Sequence, residues 1–455
     1  MLSRYSSKQM QALWGERSKW SLMLLVELAY IKAKAQLAYL PMSLYEQFRK
    51  HSKFTLKRID EIENGPEGTG HDVLAFVKTV QESLRKAGVE RDGEFHKGLS
   101  SYNAQDPANM LRLRKANGLI IEALYKLYNS LKSMSLKHKW TLMLAYTHVQ
   151  DAEPTTFGHL LANYAFQIRQ RIHKLERIME EDLCWGNMGG TVGTYAGIDI
   201  KVAELALSEL GLKPRIDTQI ISRDNHAEFM CELAIIAGVI EEMARTFHIR
   251  MHSAIHELEE PKKKGYRGSS AMSHKRNPNL TEQLFGLARL IRAAAMAALE
   301  NIETLDYRDI AQSIVERHIF PDATSLVHHA VTKMTKLVEG LVVCTDRMKE
   351  RVEVDSLGVW ATQQVRIALM DAGVSYDEAY LYTQACAFQA VSEKRHILDV
   401  MCVKEVSETN KNTADGVLGV DKLKSCFDAK SYIESGIEYS FTKAFPELTE
   451  ISAAV

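Results

Sequence analysis

Residues 229–247 read FMCELAIIAGVIEEMARTF. Within them Phe229, Leu233, Ile236, Ile240, Met243 and Phe247 recur at intervals of four, three, four, three and four, the spacing that lays one apolar stripe along an α-helix. Leu113, Ala116, Ile120, Leu124, Leu127 and Leu131 repeat the pattern. A stripe of this kind has to be buried against similar helices, so several in one chain predict a long-helix bundle. A set of unrelated helical domains would show the same periodicity. Proline usage points the same way: of nine prolines none falls between Pro321 and Pro446, and the gaps from Pro107 to Pro154 and from Pro154 to Pro214 are long. Because proline breaks helix interiors, those gaps leave room for long helices. Alternating strands are scarce, and the chain reads as all-α. Interruptions fall at 63–70 (ENGPEGTG), 183–197 (LCWGNMGGTVGTYAG), 259–268 (EEPKKKGYRG) and 408–416 (ETNKNTADG).

The 455 residues carry 57 Lys+Arg against 58 Asp+Glu, with 46% hydrophobic and 25% charged residues. That composition belongs to a globular protein of more than one domain, and the formal net charge of −1 argues against a general nucleic-acid binder. The longest uncharged run, 183–198, is interrupted by five glycines and is shorter than the roughly 18 apolar residues of a membrane span. The first twenty residues have scattered charges and no apolar centre, unlike a secretory signal. Six cysteines lie far apart without a CxxC pair, which fits reduced thiols and a cytoplasmic location.

The strongest local signal is GSSAMSHKRNP at 268–278, just ahead of a helical pattern. By composition alone it is a polar surface loop. It also gathers hydroxyls, a lysine and an amide, groups able to take a proton and to stabilise developing negative charge on a carboxylate. This stretch closely resembles the SSxMPxKxNP signature of the fumarase/aspartase superfamily of lyases. Further segments, in order, resemble the adenylosuccinate lyase family: Arg4-Tyr5-Ser6, Thr147-His148-Val149-Gln150 with 152–157 (AEPTTF), Arg223-Asp224 with 226–229 (HAEF), Arg308-Asp309-Ile310 through Val315-Glu316-Arg317 and Pro321-Asp322-Ala323, and 336–348 (KLVEGLVVCTDRM).

The resemblance implies a three-domain fold, 1–97, 98–347 and 348–455, with the central domain contributing the long-helix bundle. It implies anti β-elimination of fumarate from an N-succinyl nucleotide, in a homotetramer whose active sites draw on several chains. Ser270 would be the base, stabilised by loop N–H groups and Lys275 once the loop closes over the substrate. His148 would be the general acid, since an imidazole holds and delivers protons near neutrality. Lys275, Asn277 and Glu282 match residues that bind the succinyl carboxylates or order the closed site, and Ser269 and Met272 belong to the same signature. His71, supporting the acid, and Asp72 match the family's HDV pair. His96, Ser100, Ser101 and Gln219 match substrate-binding positions. Arg4, Tyr5, Arg308, Ser313 and Arg317 match the phosphate and nucleotide site, where converging cations suit an anionic substrate. No cofactor or metal, no nucleic acid and no membrane is implied.

The same segments depart from the family pattern. Ser273 replaces the signature proline, Val149 the glycine after the acid histidine, Tyr146 an arginine, and Asp151 a residue that is often histidine. Ser100, Tyr102, Asn103, Pro107, Asn225, Ala311, Gln312 and Ile314 alter the substrate segments. A sister lyase acting on another succinyl adduct, or a non-catalytic helical scaffold, are the rival readings. Three other patterns compete weakly. His248, His252 and His256 would share a helix face as metal ligands can, but without HExxH or cysteine nearby. The glycines Gly189, Gly190, Gly193 and Gly197 do not form GxGxxG. Residues 262–267 (KKKGYR) read as a solvated flank of the signature loop rather than a nucleic-acid patch.

Overall fold

The computed structural model describes residues 2–262, 265 and 269–446. Lys263, Lys264, Tyr266, Arg267 and Gly268 of the signature region lie outside the described residues. Helices dominate, and the two apolar stripes lie on the helices Asp224–Arg250 and Ser101–Lys137, where all twelve stripe residues are buried. Burying one large apolar side chain contributes about 1.5–3 kcal/mol gross, so the 229–247 stripe alone supplies on the order of 10 kcal/mol before chain entropy is subtracted. Other long helices are Phe157–Glu181, Asn279–Glu300 and Ala311–Gly340.

The chain divides into two compact units. The first takes the residues up to Tyr125 together with Gln170–Glu241 and Gln283–Lys333; the second takes Lys126–Arg169, Glu242–Glu282 and the chain from Met334 onwards. In the first unit the helix Glu16–Gln36 packs against Ile200–Glu209 and Met42–His51. Side-chain caps start several of its helices: Ser7, Thr55 and His71 each accept from a backbone N–H of the first turn, the geometry that satisfies otherwise orphaned donors. In the second unit the helices Thr362–Asp371 and Tyr376–Glu393 enclose a core that includes Leu369, Tyr382 and Cys386. All six cysteines are free thiols.

Two expectations are corrected, and one element is added. Pro107 and Pro321 do not end helices; they lie within Ser101–Lys137 and Ala311–Gly340. Each forgoes one intrahelical N–H bond, in helices whose nearby residues Met110 and Phe320 are buried. The histidines His248, His252 and His256 do not share a helix face, because the helix stops at Arg250. His248 instead meets the Thr281 hydroxyl at 2.8 Å, the His252 ring accepts from Ala254 N at 3.2 Å, and His256 meets Glu259 at 2.9 Å. Finally, a β-hairpin joins Leu142–Thr147 to Gln150–Thr156, antiparallel, with Thr147 opposite Gln150. Its two turn residues, His148 and Val149, have φ of +53° and +59°, both left-handed, as a two-residue type I′ turn requires.

Candidate active site

The signature loop is fastened at both of its ends. Glu260, buried, accepts from the backbone N–H groups of Leu280 and Thr281 at 3.1 and 2.9 Å and from the Thr281 hydroxyl at 3.3 Å. A carboxylate at that point caps the helix Asn279–Glu300 and faces its positive end. Lys262 reaches from Glu260, 3.5 Å away, to the Asn277 carbonyl at 2.8 Å, so it is a tether of the loop and not part of a solvated basic patch. Arg276 pairs with Glu259 at 2.6 Å.

Between these ties the loop tip is exposed, from Ser270 to Lys275. The two signature serines differ. The Ser269 hydroxyl accepts from the N–H groups of Ala271 and Met272 at 3.3 and 3.0 Å, so its lone pairs serve the loop itself. Among the described residues neither the Ser270 hydroxyl nor the Lys275 ammonium is engaged by a side chain or backbone group. Met272 is exposed, and the exposed Glu282 stands on the first turn of the helix that follows.

His148 stands at the exposed tip of the hairpin, with no hydrogen bond of its own among the described residues. The hairpin is braced behind it. Arg351 holds Asp151 at 2.9 Å and lies 3.4 Å from the buried Glu257, which also pairs with Arg250. Arg250 lies over the Tyr146 ring, 4.9 Å from its centroid. Burial raises the Glu257 carboxyl above its ordinary pKa despite these two arginines. Two departures from the family pattern, Tyr146 and Asp151, are therefore parts of one brace.

In the first unit His71 caps the helix Asp72–Lys86, its Nδ1 accepting from Leu74 N at 3.3 Å. A ring nitrogen that accepts carries no hydrogen, which leaves Nε2–H as the outward donor of the neutral ring. Next to it Asp72 receives Lys19 at 2.9 Å and Arg317 at 3.0 Å. Burial pushes the Asp72 carboxyl up, but Lys19 and Arg317 together with the Val73 N–H outweigh it and hold the group below its usual range. Asp72 and Arg317, matched separately in the sequence, are thus brought into contact.

Gln219 and Arg308 are also brought together. Arg308 donates to the Gln219 carbonyl oxygen at 2.6 Å, and the Gln219 amide donates to the Thr191 carbonyl at 2.7 Å. Gly193 has φ +74°, and a Cβ there would sit 2.1 Å from the Asp217 carbonyl oxygen, so the glycine cluster shapes this wall. Below Arg308, 4.1 Å away, lies the ring of Tyr102, whose hydroxyl meets Gln312 at 3.3 Å and Ser313. Tyr102 and Gln312 both depart from the family pattern, and each is explained by the other.

His96, at φ +69°, meets the buried Glu27 at 2.6 Å. Burial lowers the His96 pKa, yet Glu27 overcomes it and the net shift is upward. Ser100 gives both its N–H and its hydroxyl to the Asn103 side-chain oxygen, at 2.8 and 3.0 Å. Asn103, another departure, donates in turn to Asn187 at 3.3 Å. Ser101 opens the helix Ser101–Lys137. Arg4 and Tyr5 form a short 3-10 turn, with Arg4 exposed and Tyr5 edge-on to His329 at 5.6 Å. Sequence reasoning missed Lys19, Glu27, Glu260 and Arg351; none of them lies in a matched segment, so only their contacts identify them.

A family model described as Lyase matches residues 3–292. The chain is 35% identical over 435 residues to adenylosuccinate lyase of Thermotoga maritima, covering 95% of this chain and 97% of that protein. It is 36% identical over 434 residues to adenylosuccinate lyase of Synechocystis sp., with 95% and 97% covered. In three dimensions it is similar to fumarate lyase from Mesorhizobium sp. BNC1, with a TM-score of 0.86, 22% identity, and 98% and 99% of the two chains covered.

Proposed function

The chain belongs to the adenylosuccinate lyases of the fumarase/aspartase superfamily, and from that membership we propose that it releases fumarate from adenylosuccinate to leave AMP, and from the succinyl-carboxamide ribotide SAICAR to leave AICAR, in purine nucleotide biosynthesis. The observation that carries this reading is the division of labour in the signature loop. Ser269 turns inward onto the backbone, while Ser270 and Lys275 stand at an exposed tip whose ends are tied. A closing flap needs fixed ends and unengaged reactive groups.

In the elimination Ser270 takes the Cβ proton, the electron pair of that bond forms the C=C of fumarate, and the Cα–N bond breaks toward nitrogen. His148 protonates the departing nitrogen. Charge accumulates on the carboxylate next to Cβ, and Lys275, Asn277 and loop N–H groups stabilise it in a site from which closure excludes water. His71 steadies the acid through Nε2–H, and Glu282 orders the closed loop. Asp72, His96, Ser100, Ser101, Gln219, Ser269 and Met272 contact the substrate, while Arg4, Tyr5, Arg308, Ser313 and Arg317 receive the nucleotide and its phosphate. The working enzyme is a cytoplasmic homotetramer with shared active sites, and its chain is organised as three domains divided near residues 97 and 347. Ultraviolet absorbance of both nucleotides tests the activity: a folded, assembled protein that turns over neither would remove the assignment. Ser270→Ala should abolish elimination while leaving assembly unchanged, and undiminished turnover would refute the base.

A further inference from the structure

His148 sits on a two-residue turn without a hydrogen bond of its own among the described residues, so its position is inherited from the strands Leu142–Thr147 and Gln150–Thr156. A two-stranded hairpin alone is marginally stable in water, and the register of this one shifts between Leu144 and Tyr146. Contacts from outside must therefore fix it. The chain beyond residue 348, in the same compact unit, supplies them. Leu144 of the first strand is buried in a cluster with Val352, Trp360, Ala361 and Ala429. On the second strand Asp151, beside the turn, accepts from one terminal nitrogen of Arg351 at 2.9 and 3.2 Å. Glu153 accepts from the Tyr432 hydroxyl at 3.1 Å. Thr155 reaches Ser440 through His159, whose Nδ1 and Nε2 lie 3.0 and 3.1 Å from the two hydroxyls. Burial lowers the His159 pKa, and a neutral imidazole can donate at one nitrogen and accept at the other.

The two kinds of contact do different things. Apolar burial at Leu144 is non-directional and holds the hairpin down; hydrogen bonds have a defined geometry and set its orientation. The bond nearest the turn is charge-assisted, the stronger kind. Arg351 also lies 3.4 Å from the buried Glu257 and opens the π-helical turn Arg351–Asp355, so it is itself fixed. Tyr432 and Ser440 stand on the helix Ala429–Ala444. We propose that the C-terminal segment seats the general acid: Arg351 and Tyr432 are positioning residues for His148, gripping the hairpin at Asp151 and Glu153 so that the imidazole meets the departing nitrogen. This deepens the reading of His148 as the acid and rests on it.

The test follows hydrogen exchange of peptides spanning 142–156 in the full-length assembled protein, beside kcat and KM for adenylosuccinate. Wild type is compared with Arg351→Gln, Arg351→Lys and Tyr432→Phe. Loss of the charge-assisted bond in Arg351→Gln should speed exchange about tenfold. Arg351→Lys, which keeps the charge without the fork, and Tyr432→Phe, which loses one hydroxyl, should each speed it less. The tyrosine variant keeps the result decisive should Arg351→Gln fail to fold. The kcat should fall in step with exchange while KM stays within about twofold, because none of these residues is assigned to the substrate. In a His148→Ala background Arg351→Gln should still speed exchange but lower the residual kcat no further, whereas a merely structural defect would lower it again. Unchanged exchange in the folded variants would overturn the seat, and faster exchange with undiminished kcat would overturn the positioning role. Failure of the proposed function looks different: the wild type itself then turns over neither nucleotide.

Discussion

Val149→Gly at the hairpin tip is the most direct test of how His148 is held. Val149 has φ +59° and is 74% exposed, so its side chain adds little packing while its branched Cβ crowds a left-handed backbone. Left-handed conformation costs an L-residue roughly 1–2 kcal/mol. Glycine avoids that cost but loses about 0.5–1 kcal/mol more conformational entropy on ordering. The difference leaves a net gain of about 0.5–1 kcal/mol, a factor of roughly two to five in the closed-to-open equilibrium of the turn. Hydrogen exchange followed by mass spectrometry on peptides spanning 142–156 reads that equilibrium locally, without requiring the large protein to unfold in one step. Protection should rise by that factor in Val149→Gly. Val149→Ala keeps a Cβ but removes the branch, and should fall between the two. Faster exchange in the glycine variant would refute the strain argument and mean that Val149 makes a contact that favours the turn.

Glu260→Ala removes the cap of the helix Asn279–Glu300 and orphans two backbone donors; a loss of about 1–2 kcal/mol at this helix end should appear as faster limited proteolysis within 262–281 and a lower kcat. The Glu27–His96 pair predicts a pH dependence. Because the folded pKa of His96 is raised, the stabilisation is complete below the unfolded histidine value of about 6.5 and is lost as pH rises through the higher folded value. Urea midpoints measured upward from pH 6 should therefore fall more steeply for wild type than for Glu27→Gln, and parallel curves would contradict the coupling.

The helical framework is legible because apolar side chains at 3.6-residue spacing have one consistent solution, burial of that face, and Phe229 through Phe247 adopt it. The hairpin is not legible. A type I′ turn announces itself by Asn-Gly or Asp-Gly, and here His148 and Val149 occupy both positions. Pro107 and Pro321 mislead for a related reason, since local propensity yields to tertiary burial. At the site, the chemistry-bearing residues are legible only as motifs: the resemblance singles out Ser270 of the two signature serines, and the structure adds that the Ser269 hydroxyl is the one bonded to 271 and 272. The supporting contacts are invisible beforehand because each joins distant positions. Nothing in Tyr102 or Gln312 alone hints that one receives the other across 210 residues.

The His71 cap has a further implication. One nitrogen of this imidazole closes the end of a helix by lending its lone pair to Leu74. The helix start therefore selects one tautomer: only a ring bare at that nitrogen closes the turn beside Asp72, on which Lys19 and Arg317 converge.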